Sequence, residues 1–150
     1  MTQLPATGRC RCGAVTLTVT ALPVMTAACH CTGCRKMSAS AFSLSVMLPA
    51  EGLEVSGVTP VRGGAGEEPC THMCCPVCHG WLFTRITGMD GLVNVRPTLF
   101  DATDWATPFI ETMCEEKLPW ANTPAAHRFD RFPEPEDFGP LMEAYRDRQT

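Results

Sequence analysis

Cysteine is concentrated in three short clusters of this sequence, and these clusters constrain the fold more than any other feature. In chain order they are Cys10 and Cys12, then Cys29, Cys31 and Cys34, and then Cys75 and Cys78. Turns of the C-x-C and C-x-x-C kind direct two sulfur atoms at one ion, so such clusters are typical of zinc sites. Because a structural zinc takes four ligands, two pairs and a triplet predict one closed site and one site with an open position.

The two cysteine pairs are predicted to share the closed site. Cys10 and Cys12 come just before one predicted strand. Cys75 and Cys78 come just before another, so each pair forms a turn at a strand entrance. A shared ion would close the long segment between the pairs and would restrict the unfolded chain. Two alternatives stay open: Cys74 directly precedes Cys75 and allows a one-residue shift of the ligand, and the four thiols could be unligated core side chains.

The triplet is predicted to form the open site. Catalytic zinc usually has three protein ligands and one further position for water or substrate. Gly33 allows the turn that brings Cys29, Cys31 and Cys34 together. His30 lies between two ligands, so we expect its side chain to point away from the ion and to form hydrogen bonds near the site or at the surface. The side chains that could supply a fourth ligand are His30, Cys70, His72, Cys74, His79 and Cys114.

Composition and charge restrict the compartment and the partners. The first nine residues have no basic start followed by an apolar stretch, so we expect no signal peptide and a reducing cytoplasm in which thiols stay free. A disulfide scaffold is the alternative for a chain with ten cysteines. No segment approaches the roughly 18 apolar residues that span a bilayer. A net charge of −4 with unclustered basic residues argues against nucleic-acid and anionic-membrane partners.

Period-two alternation of apolar and polar residues predicts a mainly β fold. The predicted strands cover residues 15–20, 42–46, 53–55, 81–86 and 93–95. Segment 81–86 is the most apolar of these, which favours burial on both faces. Segment 62–69 carries three glycines and two acids and is predicted to be a mobile surface loop.

One helix of any length is predicted, over residues 136–148. Its apolar stripe consists of Phe138, Leu141, Met142 and Tyr145, and Pro140 is acceptable in its first turn. We expect a single domain over 1–150, with a core of about 8–122. Residues 123–150 are too few to form their own core, so they are predicted to be a tail that docks on the β core.

A zinc ion held by three thiolates has particular chemistry. A substrate thiol that enters the open position would lose its proton and become a nucleophile beside a Lewis acid. Small carbonyl carbons are natural electrophiles for it. The small residues between Arg35 and Phe42 would leave room for a ligand. Arg35 and Lys36 either offer charge to a carboxylate or form solvated surface.

Taken together, these residues resemble the glutathione-dependent formaldehyde-activating enzyme family, also known from the centromere protein V domain. The matching segments are G-R-C-R-C-G-A-V at 8–15, C-H-C-T-G-C-R-K at 29–36, S-A-F at 40–42, C-P-V-C at 75–78 and K-L-P-W at 117–120. His79 departs from the family, which commonly has glycine there. Trp120 of the last segment either lines the pocket or packs in the interior.

The resemblance implies a zinc-bound β-tent fold with two or more small antiparallel sheets. It implies a structural zinc on Cys10, Cys12, Cys75 and Cys78. It also implies a second, catalytic zinc on Cys29, Cys31 and Cys34. The activity attached to the family is the addition of glutathione to formaldehyde, which gives S-hydroxymethylglutathione.

The expected function is therefore that of a carbon–sulfur lyase that adds a thiol, glutathione in the family, to formaldehyde or another small aldehyde. The alternative is a non-catalytic zinc module that binds a protein partner or a thiol ligand. That alternative predicts a filled second site and no turnover. The oligomeric state is not predicted.

Overall fold

The computed structural model describes residues 3–66 and 68–149, and strand residues outnumber helical ones by 34% to 23%. The strands are β1 Ala6–Arg9, β2 Val15–Val19, β3 Met25–Cys29, β4 Ser43–Pro49, β5 Leu53–Gly57, β6 Val61–Gly63, β7 Cys70–Cys74, β8 Trp81–Ile86, β9 Leu92–Val95, β10 Ile110–Thr112 and β11 His127–Arg128. The α-helices are α1 Thr32–Ser38 and α2 Phe138–Gln149, and within the described residues five 3-10 turns of three residues each make up the rest of the helical fraction. The mainly β prediction is confirmed.

The strands form two sheets. The smaller sheet has the order β1-β2-β5 and is antiparallel. The larger sheet has the order β11-β10-β3-β4-β9-β8-β7-β6. Two sheets confirm the prediction, but the second has eight strands, and β10 runs parallel to both β3 and β11. Parallel neighbours need a long connection, and the chain between β3 and β10 supplies it.

The main core lies between the two sheets and follows from the alternation in the sequence. In β2, Val15, Leu17 and Val19 are buried, while the threonines between them are partly exposed. Their partners from the larger sheet and its connections include Val46, Leu48, Leu82, Val93, Val95 and Phe100. Each fully buried leucine of this kind contributes about 1.5–3 kcal/mol. The core therefore joins the sheets face to face.

The prediction for segment 81–86 is confirmed in extent and in burial. Three consecutive residues of β8, namely Leu82, Phe83 and Thr84, are buried. Consecutive strand residues point to opposite faces of a sheet. Strand β8 is therefore covered on both sides, by the interior core on one face and by the C-terminal part of the chain and a cavity on the other.

The C-terminal helix packs on the larger sheet. Leu141 and Tyr145 of α2 are buried in a second apolar cluster with Met25, Phe109 and Ile110. The helix begins at Phe138, two residues later than predicted, because the chain first makes a 3-10 turn over Pro135–Asp137. Proline at position 140 therefore lies in the first turn. This docking supports one domain over 1–150 with a core of about 8–122, which stays a prediction.

Two local predictions differ from the structure. Helix α1 was not predicted. Segment 62–69 is not all loop, because Arg62 and Gly63 belong to β6. Glu67 of that segment lies outside the described residues. In the part of the chain that the structure describes, no helix has both the length and the apolar character needed to cross a membrane.

Candidate metal centres

The four cysteines of the two pairs meet where two hairpins face each other. Cys10 and Cys12 lie in the turn between β1 and β2, and Cys75 and Cys78 lie in the turn between β7 and β8. Their four sulfur atoms all lie within 4.8 Å of one another. Since the two hairpins belong to different sheets, an ion held here would tie the smaller sheet to the larger one.

The spacing of these sulfurs suits zinc. The Sγ atom of Cys10 lies 3.5 Å from that of Cys12 and 3.6 Å from that of Cys75. Cys12 Sγ lies 3.8 Å from Cys75 Sγ. A tetrahedral ion with Zn–S bonds of about 2.3 Å requires sulfur–sulfur separations of about 3.8 Å. The cluster therefore has both the donor type and the size for a tetrahedral zinc.

Backbone N–H groups support negative charge on the sulfurs. The amide of Val15 donates to Cys10 Sγ over 3.3 Å. The amides of Cys12 and Gly80 donate to Cys78 and lower the pKa of that thiol to about 6. Thiolate is the form that binds metal. The turns thus prepare part of the ligand set before any ion binds.

The one-residue ligand shift that the sequence left open does not occur. Strand β7 ends at Cys74 and Cys75 begins the turn that follows, and only one side chain of this pair belongs to the cluster. That residue is Cys75. The sulfur of Cys74 lies instead against Gly63, where an added Cβ would be 2.5 Å from it. The turn after Cys78 places His79 in the left-handed conformation, at φ +58°, in which glycine is favoured.

The triplet is assembled by the start of helix α1. Cys29 ends β3, Cys31 is the N-cap of α1 and Cys34 lies in its first turn. The amide of Cys34 donates to Cys31 Sγ over 3.2 Å, so the sulfur takes the capping role that serine or aspartate usually has. The three sulfurs lie within 4.8 Å of one another. Within residues 3–66 and 68–149, no fourth cysteine, histidine or carboxylate joins them.

The triplet favours one thiolate. A hydrogen bond from the Cys34 thiol lowers the pKa of Cys29 to about 5. The same bond, together with burial, raises the pKa of Cys34. The sulfurs therefore compete for negative charge, and a cation placed among them would remove that competition.

His30 points away from the triplet, as predicted. It is fully buried, and its Nε2 atom lies 3.0 Å from Glu111 Oε1. Its ring also meets the Phe42 ring edge to face at 5.3 Å between centroids. Neither ring nitrogen lies close enough to join the three sulfurs, so His30 is not a fourth ligand.

Glu111 is the centre of a buried polar network that the sequence did not predict. Besides His30, its carboxylate accepts hydrogen bonds from Thr123 at 2.7 Å, Lys117 at 3.0 Å and Arg128 at 2.8 Å. Glu111, His30 and Cys114 also lie close enough to share an ion. Two cations already neutralise this carboxylate, so we do not assign a metal to that group.

The segment K-L-P-W at 117–120 contributes its lysine to this network. Lys117 anchors Glu111 and thereby the histidine between two cysteines of the triplet. Trp120 is 71% exposed and does not line the cavity beside the triplet, so neither prediction for it is correct.

Replacing Glu111 by glutamine should change the acid dependence of stability. Burial alone would raise the pKa of this carboxyl, but the hydrogen bonds from Thr123, Lys117, Arg128 and His30 lower it to about 2, from an ordinary 4.5. A lowered folded-state pKa gives stability that is present above pH 4.5 and lost as the pH falls towards 2. We expect Glu111→Gln to cost about 3 kcal/mol at pH 7, and the gap to wild type to shrink in acid.

Urea unfolding at pH 7 and at several values between 5 and 3 measures this gap. Glu115→Gln is the control, because Glu115 is about half exposed and pairs with Arg131 only at 3.7 Å. If the difference in unfolding free energy between wild type and Glu111→Gln stays constant over this pH range, the hydrogen bonds around Glu111 do not stabilise its ionised form.

A cavity of about 180 Å³ lies beside the triplet. Cys29 and Cys34 line it, and most of its other walls are apolar. Apolar wall residues include Met25, Met47, Ile86, Met89, Ile110, Phe132, Pro133 and Phe138. The last three come from the C-terminal tail, which therefore helps to enclose the site. A cavity of about 250 Å³ between Leu22 and Tyr145 contains no cysteine.

Arg96 is the residue of this cavity that sequence reasoning missed. It follows β9, its side chain is 8% exposed, and its guanidinium carbon lies 3.9 Å from the centre of the Trp81 ring. Burial lowers its pKa to about 10, while Cys34 and Cys29 oppose that shift. A single cation after a short strand is too common to be noticed in a sequence. Only the register of β8 and β9 shows that it reaches the site.

The cations that were predicted near the site lie elsewhere. Arg35 is on α1 and donates to Thr32 Oγ1 over 3.1 Å. Lys36 is exposed, and neither residue lines the cavity. Of the predicted candidates for a fourth ligand, Cys70 and His72 do line the cavity, but neither sulfur nor imidazole joins the triplet.

Comparison with known proteins gives one family and one fold. Residues 5–116 match the family described as glutathione-dependent formaldehyde-activating enzyme. Curated proteins give no match. A crystal structure of a Rhodobacter sphaeroides protein is similar, with a TM-score of 0.50 and 20% sequence identity, over 64% of this chain and 88% of that chain. At this identity the similarity concerns the fold alone.

Proposed function

The chain belongs to the glutathione-dependent formaldehyde-activating enzyme family, and from this premise we propose that it is a carbon–sulfur lyase that adds a thiol to a small aldehyde. Glutathione and formaldehyde are the substrates that the family name suggests. One observation carries the proposal. The triplet has three thiol donors, no fourth donor among the described residues, and a cavity beside it.

Two zinc ions are part of the proposal. Cys10, Cys12, Cys75 and Cys78 would hold the structural ion between the sheets. Cys29, Cys31 and Cys34 would hold the second, which supplies a Lewis acid that binds a thiol in its deprotonated form. Both sets consist of thiols that converge within 4.8 Å, which supports these assignments.

The residues around the triplet provide position and exclude water. The N-cap of α1 fixes Cys31 and Cys34 relative to each other. The Glu111–His30 pair anchors the backbone between Cys29 and Cys31 from the opposite side. Holding two reactants side by side in a small site replaces a bimolecular encounter by a local one. The apolar walls reduce the contact of these partly buried sulfurs with bulk water.

The size of the cavity favours a small electrophile. A volume of about 180 Å³ is below the range of about 300–1,000 Å³ that is common for sites of drug-sized ligands. An aldehyde of one to three carbons fits this space, and the bulk of a tripeptide thiol would extend outside it. A reducing cytoplasm is the compartment in which we propose that the thiols and their metals persist.

A cobalt-substituted sample tests the proposal. Addition of saturating glutathione should change the visible absorption of the metal, and formaldehyde should then be consumed faster than in buffer. The matched control is Cys34→Ser, whose spectrum should show the four-cysteine site alone and should not respond to glutathione. A wild-type spectrum that glutathione leaves unchanged would overturn the enzyme proposal in favour of a non-catalytic zinc module.

A further inference from the structure

An unpaired cation lies in the wall of the cavity. Within the described residues, Arg96 forms no ion pair with a carboxylate, and its Nε atom is buried without a hydrogen-bond partner. Burying a charge that lacks partners is costly. Unlike the other buried nitrogens without a partner, this one lies in a cavity wall, where a ligand that enters the cavity can complete it.

Arg96 is held in place despite lacking a partner for its charge. Its guanidinium stacks on the Trp81 ring at 3.9 Å. The indole N–H of Trp81 donates to Thr84 Oγ1 over 3.0 Å, and the backbone N–H of Arg96 donates to Leu82 O over 3.0 Å. These contacts fix both ends of the side chain, so its free N–H donors have a defined location.

The thiols of the triplet do not supply the missing hydrogen-bond acceptor for Arg96. Cys29 and Cys34 are close enough to influence its charge, yet neither accepts a hydrogen bond from it. Once an ion is bound, most of their negative charge is directed to that ion. The planar N–H fork of the guanidinium then remains available, and its geometry matches a carboxylate, which accepts two parallel hydrogen bonds.

We infer that Arg96 binds a carboxylate of the substrate, so that the preferred reactants include a compact acid that spans the distance from the triplet to Arg96. This inference rests on the proposed function, because it assumes that a substrate enters this cavity. The carboxylate belongs either to the thiol or to the aldehyde. In both cases the acid group lies at Arg96 and the reacting group lies at the triplet.

The first arm of the test measures thiol binding to the zinc-loaded full-length protein by calorimetry. The probes are 3-mercaptopropionate and 3-mercaptopropionamide, which differ in charge but hardly in shape. The second arm compares kcat/KM for glyoxylate and acetaldehyde with 2-mercaptoethanol as a neutral thiol. A preference of about tenfold or more for the acid in one arm is the expected result, and the arm that shows it identifies the source of the carboxylate.

Three variants connect the preference to the residue. Arg96→Gln should remove the preference for the acid. Arg96→Lys should retain part of this preference, because lysine keeps the positive charge but lacks the two parallel N–H donors of the guanidinium. Arg35→Gln should leave it unchanged, since Arg35 does not line the cavity. Zinc content and melting temperature of each variant show whether it folds, and Arg96→Lys keeps the test informative if Arg96→Gln does not.

The outcomes separate the two proposals. If the wild-type protein binds both thiols equally and treats both aldehydes equally, the carboxylate site is wrong while the open site stands. The same conclusion follows if Arg35→Gln, and not Arg96→Gln, removes the preference. If the wild-type protein binds neither thiol and turns over neither aldehyde, the proposed function fails and this inference fails with it.

Discussion

Replacing Cys75 by serine should release about one zinc ion per chain and should lower the free energy of unfolding by at least about 3 kcal/mol. The expected fall in melting temperature is roughly 10 °C for a domain of this size. Cys75 is fully buried and contributes one of four sulfurs that join the smaller sheet to the larger one. Without the ion, the two hairpins would keep only their packing against the shared core.

The neighbouring cysteine provides a matched control. Cys74→Ser changes the same atom at the adjacent position, and Cys74 is also buried, but its sulfur is outside the cluster. We expect Cys74→Ser to retain wild-type zinc, with a cost of about 1 kcal/mol for the altered packing. Metal analysis and thermal unfolding measure both variants. Full zinc content and an unchanged melting temperature in Cys75→Ser would refute the four-cysteine site.

The second large effect is expected on activity rather than on stability. After the uncatalysed background is subtracted, the rate of thiol addition by Cys34→Ser should be at least about 100-fold lower than that of wild type. The reason is that loss of one of three ligands removes the Lewis acid. The melting temperature should change little, because Cys34 is only partly buried and lies in the first turn of a short helix. These results together would assign activity and stability to different cysteine clusters.

Cys114→Ser is the control for this second prediction. Cys114 is also partly buried, and it lies near His30 and Glu111 without lining the cavity. It should retain both zinc ions and wild-type turnover. If Cys34→Ser keeps wild-type turnover above background, the triplet is not the site of the reaction.

Local spacing predicted the cysteine clusters because metal-binding turns are short-range features. A C-x-C or C-x-x-C turn brings two sulfurs together whatever the rest of the chain does, and all three predicted clusters do converge in the structure. The alternation in 15–20 predicted β2 for a similar reason, since one face of a strand must be buried. Helix α1 was not predicted because its N-cap is a cysteine. In the sequence, that residue indicates a metal ligand and not the start of a helix.

The amino-acid order alone was enough to specify the convergence within each short cysteine cluster, the mainly β class, the C-terminal helix and the family, because each of these depends on neighbours a few residues apart or on a short motif. Which two clusters share one group of four sulfurs was decided by the tertiary structure, since the hairpin of Cys10 and Cys12 belongs to a different sheet from that of Cys75 and Cys78. The surroundings of the triplet depend on strand pairing instead. The register of β8 with β9 brings Arg96 onto Trp81, and the parallel pairing of β10 with β3 brings Glu111 under His30. Such contacts join residues that are far apart along the chain, so no local pattern carries them, and folding alone brings them together.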